Sequence, residues 1–187
     1  MAVAVAVAVV LGTGMSGTGK SAALVELRRR GHRVVDTDDN GWIEDAPLPD
    51  GNGSEPAWRE DRVDALLARH AEGALFLSGC VWNQGKFYPR FDAIVLLSAP
   101  LDLVLERVTS RQTNDYGKTD AERERIVRDV ATVEPLLRAG ATAEIDTRRP
   151  LDEVVRELES IAKVARRSGQ APSPRSRSRS GPPVEVS

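Results

Sequence analysis

Residues 14–21 have the types and the spacing needed to bind phosphate, with the sequence Gly-Met-Ser-Gly-Thr-Gly-Lys-Ser. Glycines let a backbone curl until successive N–H groups point at phosphate oxygens, and a following helix adds its positive N-terminal end. Lys20 supplies a mobile positive charge for the β- and γ-phosphates, and Ser21 offers a hydroxyl to Mg²⁺. We therefore expect phosphate contacts from Gly14, Met15, Ser16, Gly17, Thr18, Gly19, Lys20, Ser21 and Ala22.

The surroundings of this loop favour binding over the alternative, a glycine-rich turn that binds nothing. The apolar run Val3–Leu11, typical of a buried strand, precedes the loop, and the helix-like stretch Ser21–Arg30 follows it. This order of strand, loop and helix is the setting that the pattern requires. The first eleven residues lack a positively charged start and are too short to span a bilayer. We interpret them as the first strand rather than as a targeting or membrane segment.

The composition of the 187 residues predicts one domain over residues 1–167 and a disordered tail over 168–187. The tail is rich in Ser, Pro and Arg and has almost nothing to bury. The whole chain has a formal net charge of −2, and the tail is net positive, so the domain is more acidic still. This balance argues against a nucleic-acid surface on the domain. Cys80 is the only cysteine, which excludes an internal disulfide and predicts a cytoplasmic location.

Alternating apolar runs predict an α/β fold with a parallel sheet covered by helices on both faces. In such a sheet, ligands bind at the carboxyl ends of the strands. Asp120–Arg138 is predicted to kink before Pro135. The strand candidates are Val3–Leu11, His32–Asp36, Ala74–Ser78, Ala93–Ser98 and Ala143–Asp146. The helix candidates are Ser21–Arg30, Pro56–Ala71, Leu101–Ser110, Asp120–Arg138 and Leu151–Ala165.

The second strand candidate ends in the acidic run Asp-Thr-Asp-Asp, residues 36–39. Carboxylates at this point would face the phosphate loop across the end of the sheet. One carboxylate could hold Mg²⁺, directly or through water, and another could orient an acceptor hydroxyl or take its proton. The alternative is a solvent-exposed turn stabilised by aspartate side chains.

The phosphate loop, followed after one helix by Val34-Val35-Asp36-Thr37-Asp38, resembles the shikimate-kinase and gluconate-kinase branch of small P-loop kinases. The wider group includes the adenylate-kinase-like nucleoside monophosphate kinases. The resemblance covers about Val3 to Ile161. It implies a three-layer fold with a five-stranded parallel sheet and a short lid at about residues 112–119, together with the use of ATP and Mg²⁺. It also implies a metal role for Asp36, beside Ser21, and an acceptor and catalytic role for Asp38, beside a catalytic Lys20.

The family places an acceptor-binding arginine at the start of the helix after this turn, and Arg59 lies at that position in the sequence. The equal alternative is that Arg59 is an ordinary surface arginine with no role in acceptor binding. After the third strand, shikimate kinases have three glycines, and adenylate kinases have Asp-Gly followed by Phe-Pro-Arg. This chain has neither pattern in Leu75–Cys80. The departure argues against shikimate or AMP as the acceptor. We interpret Cys80 as a small buried residue, not a nucleophile.

The segment that follows is polar and cationic and should lie beside the acceptor. Gly79 and Asn83 are predicted to contact the acceptor, and Gln84, Lys86 and Arg90 would suit a hydroxylated or anionic molecule. The equal alternative is that these side chains only cap a loop.

Arginines near the lid are the remaining candidates. By resemblance, Arg107 and Arg111 are predicted to reach the transferring phosphoryl group, and Lys118 to act as a lid contact, because phosphoryl transfer needs charge neutralisation and exclusion of water. The alternative is a solvated helix end whose cations offset the helix dipole. Arg148 is predicted to stack on adenine through its planar guanidinium. Its neighbours Asp146 and Thr147 could instead simply cap the last helix.

Together these features predict a monomeric, or alternatively dimeric, phosphotransferase that moves the γ-phosphoryl group of MgATP to a small-molecule acceptor. A nucleoside monophosphate kinase is one alternative. Another class is a nucleotide-dependent switch or ATP-binding module, although the sequence has no guanine-reading motif. A third is an RNA-associated ATPase that acts through the Arg-Ser repeats of residues 175–180.

Overall fold

A five-stranded parallel sheet forms the centre of the structure, a computed structural model that describes residues 7–39 and 41–169. The strands of this described part are β1 (Val7–Thr13), β2 (Arg33–Asp36), β3 (Ile43–Pro47), β4 (Ser54–Trp58), β5 (Gly73–Ser78), β6 (Ala93–Ser98) and β7 (Ala143–Asp146). The central sheet has the order β2-β5-β1-β6-β7, and β3 pairs with β4 in a separate antiparallel hairpin. The expected five-stranded parallel sheet is thus confirmed.

Helices cover both faces of the sheet. They are α1 (Lys20–Arg29), α2 (Glu60–Arg69), α3 (Leu101–Ser110), α4 (Asp120–Thr132), α5 (Glu134–Gly140) and α6 (Leu151–Gly169). Helices α1 and α6 pack on one face, where Leu27 and Val155 meet Val10 and Phe76. On the other face, Val63 and Leu66 of α2 belong to the cluster of β1 and β5 side chains. A short 3₁₀ helix, Gln84–Arg90, completes that layer.

Strand β1 explains why the sheet must be covered on both sides. Its run of Val, Ala and Leu has no polar alternation, and Ala8, Val10 and Leu11 are completely buried. A strand with this pattern is stable only between two apolar layers. Within the described part of the chain, no helix has both the length and the apolar character needed to cross a membrane.

The strand order determines where the loops meet. Strand β1 lies between β5 and β6. Along the chain, β2 and β5 are added on one side of β1, and β6 and β7 are then added on the other side. In the register, Gly12 of β1 and Asp36 of β2 both stand opposite Ser78 of β5. The loops after these strands therefore emerge at one edge of the sheet, the position where ligands bind in open α/β folds.

The β-hairpin is the main departure from the predicted elements. The sequence pattern predicts a helix from Pro56 to Ala71, but Ser54–Trp58 is strand β4, and the helix begins only at Glu60. Proline has no N–H to donate and is tolerated in a two-stranded edge ribbon, where Pro56 pairs with Asp45. The prediction was wrong for residues 56–59, because their packing depends on Trp58, which is buried under the sheet.

Two other boundaries differ. The predicted helix Asp120–Arg138 is divided into α4 and α5 at Val133, two residues before Pro135, because proline cannot donate the helical hydrogen bond. Helix α6 continues to Gly169, so its backbone includes the first two residues of the predicted tail. Residues 170–187 and 1–6, which hold most of that tail and the start of the first predicted strand, lie outside the described residues.

Candidate active site

The phosphate-binding loop lies between β1 and α1 and turns on glycines. Gly14 and Gly17 have φ angles of 148° and 85°, in the region that favours glycine. A Cβ on Gly14 would lie 2.3 Å from the carbonyl oxygen of Leu97, so no side chain fits there. Gly19 precedes the first turn of α1, which places the helix N-terminus at the loop. The backbone therefore has the curvature and the dipole of an anion site.

Lys20 is folded back onto the loop that precedes it. Its ammonium group donates hydrogen bonds to the carbonyl oxygens of Gly14 at 2.7 Å and Met15 at 3.0 Å. The buried hydroxyl of Thr18 donates to the same Met15 carbonyl at 2.8 Å. These contacts hold a positive charge over the hollow of the loop, where the oxygens of a bound phosphate would neutralise it.

Ser21 and Asp36 form the candidate metal site. The Ser21 hydroxyl donates to one carboxylate oxygen of Asp36 at 2.9 Å, across the gap between α1 and the end of β2. Among the described residues, no three His, Cys, Asp or Glu side chains form a metal cluster of their own. Mg²⁺ beside nucleotide phosphates typically needs only one or two protein oxygens, with phosphate and water completing its coordination. A hydroxyl and a carboxylate in contact fit that requirement.

Thr37 fixes the turn that carries the two aspartates. Its N–H and its hydroxyl both donate to the carbonyl oxygen of Ser78, at 2.9 and 2.7 Å. The side chain of Thr37 is buried, so its neighbours Asp36 and Asp38 are directed to the open side of the turn. The N–H of Asp38 donates to the second carboxylate oxygen of Asp36 at 3.2 Å.

Asp38 lies on the wall of a cavity of about 580 Å³ above the phosphate loop. The surrounding protein raises the pKa of its carboxyl group mainly by desolvation. The charge of Lys20 opposes this shift, and the charges of Asp36 and Asp39 add to it. The cavity is lined by Gly14, Met15, Ser16, Gly17, Gly19, Lys20, Ser21, Ala22, Asp38, Cys80, Arg107, Ser110, Arg111, Thr113, Asn114, Tyr116, Ile126 and Asp129.

Arg107 joins the two loops that flank the cavity. Its guanidinium donates to the hydroxyl of Thr147 at 2.9 Å and to the Thr147 carbonyl oxygen at 2.7 Å. A longer hydrogen bond of 3.5 Å reaches the carbonyl oxygen of Gly17 in the phosphate loop. With most of its donors used, Arg107 acts in this structure as a link between the phosphate loop and the loop after β7.

Arg111 has donor capacity that its hydrogen bonds in this structure leave unused. One terminal nitrogen donates to the hydroxyl of Ser16 at 3.2 Å and to the carbonyl oxygen of Tyr116 at 2.9 Å. Its Nε is among the few buried side-chain atoms of the described residues without a hydrogen-bond partner. Burial lowers the pKa of Arg111 from its very high ordinary value. A buried cationic donor beside a phosphate loop suits a phosphate oxygen.

The segment predicted as a lid, residues 112–119, is an irregular loop between α3 and α4. Glu122 holds its end: one carboxylate oxygen accepts the N–H groups of Gly117, Lys118 and Thr119 at 3.0–3.1 Å. The Thr119 hydroxyl accepts the N–H of Glu122 in return, which completes a capping box at the start of α4. Lys118 donates to backbone carbonyls of Thr109 and Arg111, so it ties the lid to α3.

The sequence profile of the AAA domain family matches residues 10–128, which include the phosphate loop, the aspartate turn and the lid. The chain belongs to that family. No curated protein sequence matches the chain.

Comparison with solved structures shows the fold. A shikimate kinase from Acinetobacter baumannii in complex with shikimate has 16% identity and a TM-score of 0.57, over 84% of this chain and 94% of that one. A shikimate kinase from Bacteroides thetaiotaomicron has 15% identity and a TM-score of 0.58, over 83% and 98%. A gluconokinase from Sinorhizobium meliloti 1021 has 18% identity and a TM-score of 0.54, over 87% and 95%. The chain thus has the fold of these P-loop kinases.

Three residues predicted to contact an acceptor do not line this cavity. Arg59 lies at the start of α2, 3.9 Å from Glu44 and 3.8 Å from Asp61. Asn83 is buried, and its amide pairs with the main chain of Trp58: the oxygen accepts the N–H at 2.9 Å, and the nitrogen donates to the carbonyl oxygen at 3.0 Å. Through these two hydrogen bonds, Asn83 supports the β-hairpin at Trp58.

Gly79 does not line the cavity and instead packs closely against Thr37 and Trp58. A Cβ at this position would lie 2.2 Å from the Thr37 hydroxyl and 3.1 Å from the Trp58 ring. Arg148 lies outside the cavity wall, where its guanidinium pairs with Asp146 and holds the pKa of that carboxyl at about 2. Thr18 likewise supports the loop from beneath rather than lining the cavity.

The structure adds lining residues that the sequence reasoning missed. Asp129 and Ile126 come from α4, Tyr116 and Asn114 from the lid, and Cys80, which is half-buried, from the end of β5. The only available signal was the spacing of three residues between Ile126 and Asp129, which puts the two side chains on one face of a helix.

Proposed function

We propose that the protein is an ATP-dependent phosphotransferase that moves the γ-phosphoryl group of MgATP to a hydroxyl of a small-molecule acceptor. The single observation that carries this proposal is that one cavity is lined by the phosphate loop with Lys20 and Ser21, by the carboxylate of Asp38 and by the guanidinium of Arg111. Phosphoryl transfer requires this combination of phosphate binding, charge neutralisation and an oriented acceptor.

Each residue has a separate task in this scheme. Lys20 leaves the carbonyls of its own loop and contacts the β- and γ-phosphates, and the loop N–H groups hold the remaining oxygens. Ser21 and Asp36 would hold Mg²⁺, which neutralises charge between the β- and γ-phosphates when bound. Arg111, whose side chain lines the cavity, donates to an oxygen of the transferring group, because developing charge there is stabilised best by a donor held beside the phosphate loop.

Asp38 acts on the acceptor. The acceptor oxygen forms a bond to the γ-phosphorus while the bond from that phosphorus to the β,γ-bridging oxygen breaks, and ADP leaves with the electron pair. Asp38 accepts the hydroxyl proton. Desolvation raises the pKa of Asp38, which makes its carboxylate a stronger base than an ordinary aspartate.

Two variants and a control test the proposal. We expect Lys20→Ala to lower MgATP affinity at least about tenfold in calorimetry, because one charged contact is worth at least ~1.4 kcal/mol. Asp38→Asn should bind MgATP as wild type does, but should lose about 10²-fold or more of ADP formation in a metabolite-stimulated assay. The neighbouring Asp39→Asn is the matched control and should stay active at neutral pH.

Two results would overturn this assignment. One is MgATP binding by Lys20→Ala as tight as that of wild type. The other is ADP release that no metabolite stimulates but a protein partner does, which would instead indicate a nucleotide-dependent switch. Mass detection of an acceptor heavier by one HPO₃ unit supports transfer rather than hydrolysis.

A further inference from the structure

The hydroxyl of Ser78 is a buried polar group that the fold itself leaves without a hydrogen-bond partner. Ser78 is the last residue of β5 and is 1% exposed, and its Oγ is one of the few buried side-chain atoms of the described residues with no partner. A buried hydroxyl that makes no hydrogen bond costs free energy, so such groups are rare in native folds. The Ser78 hydroxyl is therefore free to bind a ligand or a water molecule that comes beside it.

The alternation of side chains along β5 directs this hydroxyl towards α1. Ala74 and Phe76 belong to the cluster that includes the apolar side chains of α1. Leu75 and Leu77 belong to the cluster on the opposite face of the sheet. Since successive side chains of a strand point to opposite faces, Ser78 shares the α1 face with Ala74 and Phe76.

The candidate metal site lies on the same face. Asp36 of β2 stands directly opposite Ser78 in the parallel pair of strands, and its carboxylate accepts the hydroxyl of Ser21 from α1 at 2.9 Å. Neighbouring strands of a sheet are about 4.8 Å apart, so the side chains of Asp36 and Ser78 are neighbours. Two hydroxyls and one carboxylate thus lie between α1 and the carboxyl edge of the sheet.

Gly12 leaves room beside these oxygens. It stands opposite Ser78 on the β1 side, and Ala8 and Val10 of the same strand pack on the α1 face, so position 12 also faces α1. A Cβ on Gly12 would meet only the carbonyl oxygen of Leu77 within 4 Å, at 3.6 Å. A small polar site of this kind suits a water molecule, which needs space and several polar partners.

We propose that the Ser78 hydroxyl holds a water ligand of the Mg²⁺ that Ser21 and Asp36 would bind, which makes Ser78 a positioning residue of the metal site. The inference rests on the proposed phosphotransferase function, in which the metal arrives with the nucleotide. Mg²⁺ loses water reluctantly and keeps several water ligands beside phosphate and protein oxygens. Groups that hydrogen-bond to the ligands of a metal orient them, and their removal typically lowers metal affinity about 10- to 100-fold.

The affinity of this site is measured with Mn²⁺, which prefers the same oxygen ligands as Mg²⁺ and is detected by electron paramagnetic resonance while it is free in solution. The full chain is titrated at saturating ADP, with a correction for Mn²⁺ that free ADP binds. We expect Ser78→Ala to weaken Mn²⁺ binding about tenfold. In an Asp36→Asn background the same change should have a smaller effect, because both residues act on one ion.

Ser98→Ala is the matched control. Ser98 ends β6 as Ser78 ends β5, but its hydroxyl already donates to Glu144 at 2.7 Å and lies two strands away from Ser78. The Mn²⁺ affinity of this variant should equal that of wild type. An unchanged Mn²⁺ affinity in Ser78→Ala, or an equal loss in Ser98→Ala, overturns the proposal.

Two further measurements separate this role from a purely structural one. Binding of ADP in EDTA and urea unfolding of the metal-free protein should be the same in Ser78→Ala as in wild type, because the hydroxyl has no protein partner to lose. Weaker ADP binding in EDTA, or unfolding at lower urea, would show that the hydroxyl serves the loop or the fold and would overturn the proposal. A failure of the proposed function appears separately, as unchanged MgATP binding in Lys20→Ala.

Discussion

The indole N–H of Trp58 donates a hydrogen bond of 2.8 Å to the hydroxyl of Thr37, and both side chains are almost completely buried. The Thr37 hydroxyl donates in turn to the carbonyl oxygen of Ser78. This chain of hydrogen bonds connects the β-hairpin to the turn between Asp36 and Asp38. Trp58 is therefore a positioning residue for both carboxylates, although it does not line the cavity.

Replacing Trp58 with Phe removes the indole donor and part of the buried ring. We expect a loss of about 1–3 kcal/mol in the free energy of unfolding, measured by urea denaturation, because a buried hydrogen bond and some packing disappear. Once acceptor turnover is established, kcat should fall more than MgATP affinity, since the phosphate loop is not touched. The half-exposed Trp82→Phe is the control and should change neither quantity.

Gly79→Ala should disturb the same connection from the other side. The added methyl group would lie 2.2 Å from the Thr37 hydroxyl, which is held by two hydrogen bonds and cannot simply move away. We expect destabilisation of about 1–3 kcal/mol by urea denaturation. A Cβ on Gly85 meets nothing within 4 Å, so Gly85→Ala should unfold within experimental error of wild type. Equal stability of the two variants would contradict the observed packing.

The parts of the fold that depend on nearby residues could be predicted from the sequence. The phosphate loop is one continuous segment, so its spacing alone indicates the turn, the helix N-terminus and the positions of Lys20 and Ser21. The five central strands are short apolar runs, and their buried character requires helices on both faces. The family resemblance placed Asp36 opposite Ser21, and the 2.9 Å hydrogen bond between them shows that they are in contact.

Features that depend on distant residues could not be predicted in the same way. The hairpin strands contain Pro, Asp and Glu, which have low strand propensity, and they are held by the burial of Trp58. Asn83 was expected at the acceptor, but its amide pairs with Trp58, 25 residues away. Asp129 lines the cavity because α4 packs against α3, and the spacing of Ile126 and Asp129 on one helix face could not indicate what that face would meet.

Glu122 should hold the backbone of residues 117–119, the C-terminal end of the lid, in a fixed conformation. Because its carboxylate accepts three consecutive backbone N–H groups, Glu122→Ala releases the amides of residues 117–119 together. We expect these amides to exchange faster with solvent in hydrogen-exchange measurements, while amides of β1 and β5 keep their protection. Glu124→Ala, an exposed position on the same helix, should leave exchange at 117–119 unchanged. Unaltered exchange in Glu122→Ala would show that the capping box does not hold the lid.

The pKa of Asp38 predicts a pH dependence for turnover. Asp38 must be ionised to accept a proton, so activity should fall as pH drops through its pKa, which desolvation raises above the ordinary aspartate value. The negative charge of Asp39 contributes to this shift. The acidic limb of a kcat/KM profile should therefore move to lower pH in Asp39→Asn. Asp45→Asn, on the exposed face of the hairpin, should not move it.

The same shift predicts the opposite effect on stability. A carboxyl whose folded-state pKa is raised stabilises the fold at low pH, and this contribution is lost as pH rises from the ordinary aspartate pKa through the raised one. Asp38→Asn removes the cost of ionisation, so at neutral pH it should unfold at urea concentrations equal to or above those of wild type while its turnover is lost. Lower stability at neutral pH would show that Asp38 has a structural role instead, and would weaken its assignment as the base.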